Sequence, residues 1–147
     1  MLAQDNTENG AIAAARARAA IPTAEAKARA WQQIMVDGSL PNSIQDAAID
    51  GFRTAADTSL LAPWAEEYFA AIPGVWRTRT HELAQQIAIG MYPNIPAQET
   101  VDAADAFLAD LPEDLHGLRR LVLEQRDATA RAVRAQAVDA AYEVVRA

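Results

Sequence analysis

The chain has 147 residues and a net charge of −7, with 20 acidic residues against 13 basic ones. It has no cysteine and two histidines, His81 and His116, which excludes a disulfide scaffold, a thiol nucleophile and a cysteine-bound zinc. The acidic balance argues against nonspecific DNA binding, which depends on phosphate neutralisation by Lys and Arg.

Thirty-five residues are alanine, the residue that loses least on entering a helix, and Lys27 is the only lysine. Proline and glycine break the chain near Pro22, 38–41, 57–63, Pro73-Gly74, 92–96 and Leu111-Pro112, and the segments between them read at helical period. The spacing predicts a first helix over 8–20, nearly all Ala and Arg. A second starts at the N-cap Thr23, with Glu25 in its first turn and an apolar stripe of Ala24, Ala28, Trp31, Ile34 and Met35. A third opens on the capping-box-like Ser43-x-x-Asp46, with Ile44, Ala48, Phe52 and Ala55 on one face. A fourth has Pro63 in its first turn and buries Leu61, Trp64, Tyr68 and Ile72. A fifth covers 75–91 and presents Trp76, Leu83, Ile87 and Met91. A sixth presents Val101, Ala104, Leu108 and Leu111. The last runs from 113 to the C-terminus through Leu115, Leu118, Val122, Ala132, Val133, Ala140 and Val144, with Gln125, Thr129 and Gln136 making its inward face partly polar.

The expected fold class is therefore all-α: about seven antiparallel helices, no strand, and one domain over 1–147. Trp31 and Trp64 lie 33 residues apart, a period that suits HEAT-like or tetratricopeptide hairpins in a partial α-solenoid. Residues 99–114 carry six acids and no base, whereas 119–134 carry five arginines. Antiparallel packing would set one face against the other.

Chemistry-bearing patterns are few. His81-Glu82-Leu83-Ala84-Gln85 begins like a zincin helix, but the second histidine is replaced by Gln85, so the second imidazole ligand is missing. A surface His81–Glu82 pair is expected there, and His116 reads as a surface residue. No phosphate-binding glycine loop or G-x-S-x-G elbow is present. The adjacent acids Glu66-Glu67 and Glu113-Asp114 point apart on a helix and make no acid/base pair. No catalytic residue, metal ligand or cofactor site is expected within these residues. No apolar run reaches the ~20 residues that span a bilayer, and residues 1–10 lack a signal peptide's features, so a cytoplasmic location is expected.

Several stretches, in order, carry a family resemblance: Asp5-Asn6-Thr7-Glu8-Asn9-Gly10, Ile21-Pro22-Thr23-Ala24-Glu25-Ala26-Lys27-Ala28-Arg29-Ala30-Trp31, Gly51-Phe52-Arg53, Pro63-Trp64-Ala65-Glu66-Glu67-Tyr68-Phe69, Val75-Trp76, Gly90-Met91-Tyr92-Pro93, and Leu118-Arg119-Arg120-Leu121-Val122-Leu123-Glu124-Gln125-Arg126-Asp127. Together they cover almost the whole chain. The pattern resembles the C-terminal helical domain of M1-family zinc aminopeptidases, in the aminopeptidase N group of actinobacteria.

The resemblance implies a parent chain several times longer that removes N-terminal residues from peptides. Its zinc would lie in an upstream catalytic domain, and no catalytic residue carries over to this chain. The helical domain would be a HEAT-like solenoid that caps the catalytic cleft, bounds the substrate cavity and limits peptide access. Its expected partners are that catalytic domain and the peptide substrate, with no nucleic acid and no membrane. Arg119, Arg120 and Arg126 are candidates to receive a peptide carboxylate, and pairing with residues 99–114 is the competing use of the same side chains. Cut inside a hairpin, the array would expose Ile12, Ala15 and Ala19 of the first helix, and the isolated chain is expected to self-associate there. The alternative reading is a stand-alone helical-repeat adaptor that binds another protein.

Overall fold

A computed structural model describes residues 2–146, with side chains described from Thr7 onward. Seven α-helices follow in chain order: α1 Leu2–Ala20, α2 Ala24–Trp31, α3 Asn42–Arg53, α4 Pro63–Thr78, α5 His81–Gly90, α6 Gln98–Asp110 and α7 His116–Arg146. A π-helical turn, Gln32–Asp37, continues α2. Short 3₁₀ turns, Thr58–Leu60 and Glu113–Leu115, lead into α4 and α7. The described residues contain no strand, as the periodicity predicts.

The helices form two layers. In one, α1 packs on α3, α3 on α5 and α5 on α7; in the other, α4 packs on α6. Neighbours in sequence also touch across the layers, α1 with α2, α4 with α5 and α6 with α7. Stacked hairpins produce this alternation, and the domain is solenoid-like.

Small residues let the backbones approach. A methyl group built on Gly51 of α3 would meet the Arg16 carbonyl of α1 and lie 2.9 Å from the Ala19 Cβ. One built on Gly90 of α5 would meet Ile49 of α3. Ala47, Ala48, Ala84 and Ala88 are all buried in the same layer. Trp31 of α2 stacks on Trp64 of α4 with centroids 4.9 Å apart and tilts across the layers against Phe52 of α3. The two tryptophans thus pack on each other in one core.

Caps explain several boundaries. Thr23 accepts a hydrogen bond from Ala26 N and opens α2. Pro63 starts α4 in its first turn, where its missing N–H costs nothing. Other boundaries differ from the sequence expectation. Helix α1 is helical from Leu2, not from 8, and passes through Gly10, which is exposed and where an added methyl group would meet nothing within 4 Å. Ser43 makes no capping box, because α3 starts one residue earlier with the extended Pro41 as its cap residue. The expected break at Pro73-Gly74 is absent. Proline's φ suits a helix, and Tyr68, Ile72 and Val75 keep one buried stripe running through it. The Thr78 hydroxyl donates to the Gly74 carbonyl at 2.8 Å. The break falls instead at Arg79-Thr80, and Thr80 accepts from Leu83 N to cap α5.

The inward face of α2 holds Trp31, and Ile34 and Met35 of the turn that follows, as the stripe predicts, but Ala24 and Ala28 are exposed, and Ala26, Lys27 and Ala30 point inward in their place. At the other end, α7 outruns the body: Ala140 and Val144 are exposed, with Val138, Tyr142 and Val145 beside them.

Candidate functional site

Cations hold several helix ends in three arrangements, centred on Lys27, Arg79 and the Arg119–Arg126 pair. At the α1–α2–α3 junction Lys27 is fully buried, 0 % exposed. Its ammonium donates to the carbonyls of Ala19, Gly51 and Thr54 at 2.8, 3.1 and 3.0 Å. These carbonyls end α1 and α3, where orphan acceptors and the negative ends of two helix dipoles converge. Burial pulls the Lys27 pKa below 10.5. Only the ammonium form can supply three donors, so the carbonyl triad favours keeping the proton.

Arg79 does the same for the π-helical turn. Its guanidinium donates to the Ile34 and Met35 carbonyls at 3.1 and 3.0 Å. It lies so close to Gly38, at φ 65°, that a side chain there would collide with it.

Arg119 and Arg126 of α7 face α6. Arg119 donates to the carbonyls of Leu108 and Leu111, both at 2.9 Å, and caps the end of α6. Arg126 forms a two-pronged pair with Asp105 at 2.7 and 3.1 Å and also reaches Asp127. The hydrogen bond from Arg126 holds the Asp105 carboxyl below its ordinary value. Arg120 is exposed and has no partner among the described residues. Asp114, in the acidic stretch, pairs with Arg77 of α4. The structure thus brings Arg119 and Arg126 onto α6 and leaves Arg120 apart.

An aromatic chain crosses the core behind them. Tyr68, Phe69 and Tyr92 meet edge to face, with centroids 5.1–5.8 Å apart. Tyr68 donates to the Ala88 carbonyl at 2.6 Å, and burial together with Tyr92 pushes its phenol well above the ordinary range. The Tyr92 hydroxyl is buried, and no hydrogen bond to it closes. Burial pushes its pKa up, and the nearby Thr129 and Arg126 offset only part of that. Tyr92 and Thr129 line a recess of about 260 Å³ with Arg53, Asn94 and Gln125.

The residues do not fit a zinc ion. His81 is exposed at the start of α5, and its ring bonds to Gln85 at 3.0 Å, one turn away, rather than to Glu82. His116 is exposed at the start of α7. No three His, Cys, Asp or Glu side chains cluster among the described residues. No helix is long and apolar enough to cross a membrane.

Sequence reasoning missed Lys27, Arg53, Arg79 and Tyr92. Lys27 had a readable signal, since it sits four residues before Trp31 and seven before Ile34, on the buried face. Arg79 had none, because its partners, the Ile34 and Met35 carbonyls, come from a distant segment.

Residues 1–131 match the family model of the ERAP1-like C-terminal domain. The chain is also similar to an aminopeptidase N of Streptomyces lividans, with 49 % identity over 139 residues. That alignment covers 94 % of this chain and 16 % of the relative. The chain therefore spans about 16 % of the length of the curated relative it matches.

Proposed function

The chain belongs to the ERAP1-like C-terminal domain family, and from that membership we propose that it is the non-catalytic cap of a longer M1 zinc aminopeptidase, one that removes N-terminal residues from peptides. The observation that carries this reading is the 49 % identity to aminopeptidase N running along nearly the whole chain.

The two helical layers, as HEAT-like hairpins, supply a stiff wall that bounds the substrate cavity and limits which peptides enter. Zinc belongs to the catalytic domain of the longer chain, which is also this domain's first partner. Peptide is the second, and the whole enzyme works in the cytoplasm. The end of the array formed by α1 pairs with that longer chain, or with a second copy when the domain stands alone. Ala19 takes no part in that face, because it is buried against α3, whereas Ile12 and Ala15 remain half-exposed. Among the three arginines offered to a peptide carboxylate, Arg119 and Arg126 already serve α6. Arg120 is the one left free to meet peptide.

An assay on an amino-acid anilide tests the reading. The longer chain hydrolyses the anilide and loses that activity to a zinc chelator, and the 147 residues alone do not hydrolyse it. Chelator-sensitive hydrolysis by the 147 residues alone would overturn the non-catalytic assignment. A longer chain without peptidase activity would favour the adaptor reading.

A further inference from the structure

Two apolar surfaces stay uncovered, and the charges beside them are opposite in sign. The first is the end of α7, where Val138, Tyr142 and Val145 are 68, 62 and 86 % exposed. Steps of four and three place them on one face of the helix, and Arg131, Arg134 and Arg146 share that face. Asp139 and Glu143 lie beside it rather than on it. None of the three arginines has an acidic partner among the described residues, and Arg146 lies over the Tyr142 ring at 5.8 Å. The second surface is a groove of about 520 Å³ between α4 and α6. Half-buried Phe69 and Phe107, with centroids 5.3 Å apart, line it with the exposed Ala70 and Ala106. Glu66 and Asp110 rim it, both exposed and without a partner among the described residues, and no basic residue lines it.

The helix end cannot turn back onto the groove of its own chain. From Leu118 to Arg146 α7 contains no glycine or proline and runs unbroken, and Leu118, Leu121 and Val122 fix its direction in the core. Its last turns therefore project past the body and meet another molecule. An amphipathic helix that lays its apolar face into an apolar groove is a recurrent mode of recognition. Here the helix face carries arginines and the groove carries carboxylates, so the charges at the edges of the contact are complementary. We propose that the end of α7 docks into the α4–α6 groove of a second copy of this chain. Val138 and Tyr142 anchor it on Phe69 and Phe107, and the arginines of the helix face Glu66 and Asp110. Reciprocal exchange fills both grooves of a dimer. The inference does not require the peptidase reading, and Val138, Tyr142, Val145 and Arg146 lie past residue 131, where the family match ends.

The chain has no cysteine, so one introduced thiol reports one contact. Ala70→Cys in the groove and Ala141→Cys on the α7 end are prepared separately, mixed and oxidised. A mixed disulfide in excess of either self-linked product is expected. Ala15→Cys on α1 controls for association through the other end of the array. Sedimentation velocity of the cysteine-free chain, from micromolar to near-millimolar concentration, gives the dissociation constant. Tyr142→Ala should raise it by about tenfold to a hundredfold, the range for an anchor residue. Charge reversal supplies the second test. A chain with Arg131→Glu and Arg134→Glu, and another with Glu66→Arg and Asp110→Arg, should each be monomeric alone and should dimerise when mixed. These positions are exposed, so the circular dichroism of every variant should match the parent chain. A parent chain that is monomeric at every concentration would overturn the docking. So would Ala141→Cys linking only to itself, oxidative dimers through Ala15→Cys alone, or a charge-reversed mixture that stays monomeric.

Discussion

Lys27 shows how one residue can join three elements. A buried ammonium is costly unless its donors are met, and here each has a carbonyl at the end of a helix or just past it. Replacing it with methionine keeps the stem's packing but strands three acceptors. Lys27→Met should lower stability by about 3 kcal/mol, read as a shifted urea midpoint at unchanged m. A loss below about 0.5 kcal/mol, the size of an ordinary surface substitution, would show that water replaces the ammonium at no cost. Arg79 and Arg119 follow the same pattern, each closing two carbonyls at a helix end. Cations at C-termini are thus a recurrent device in this chain, and they account for two of its arginines without any ligand. Arg53 differs because it closes nothing.

Between elements, the closest approach is that of α1 and α3 at Gly51. An alanine there would drive its Cβ into the Arg16 carbonyl, and backbone cannot step aside as a side-chain tip can. Gly51→Ala should therefore cost about 1–3 kcal/mol despite alanine's better helix propensity. Gly74→Ala is the matched control, since Gly74 lies inside α4 with nothing within 4 Å, and it should gain up to about 1 kcal/mol. Thermal melts of the two variants, run together, check both signs. Much of the element layout was readable from local chemistry, namely the Thr23 cap, the Pro63 start and the buried stripe of α6. The misreadings have physical causes. Pro73 marks a break in an isolated helix, but a buried stripe on either side outweighs one missing hydrogen bond. In α2 the stripe holds at Trp31, Ile34 and Met35 and fails at Ala24 and Ala28, because alanines carry little hydrophobic signal and a buried lysine reads as surface. The recess was not readable, because Arg53, Asn94 and Gln125 are far apart in sequence and meet only once α3, the loop and α7 are packed.

At the scale of the whole molecule, alanine content and layer geometry belong together. Small side chains let α1, α3, α5 and α7 stack closely, and a closely stacked layer makes a stiff wall. Close stacking is what the proposed cleft-bounding role asks of such a wall. The last turns of α7, with Val138, Tyr142 and Val145 exposed, extend past residue 131, where the family match ends. The central proposal is that this domain limits which peptides reach the catalytic site and takes no part in bond cleavage. The direct measurement is kcat/KM over a series of peptide lengths, for the longer enzyme with and without these residues, with an amino-acid anilide as the control for an intact zinc site. The account predicts that anilide turnover survives removal while discrimination between short and long peptides is lost. Preserved anilide turnover with unchanged length discrimination would contradict it.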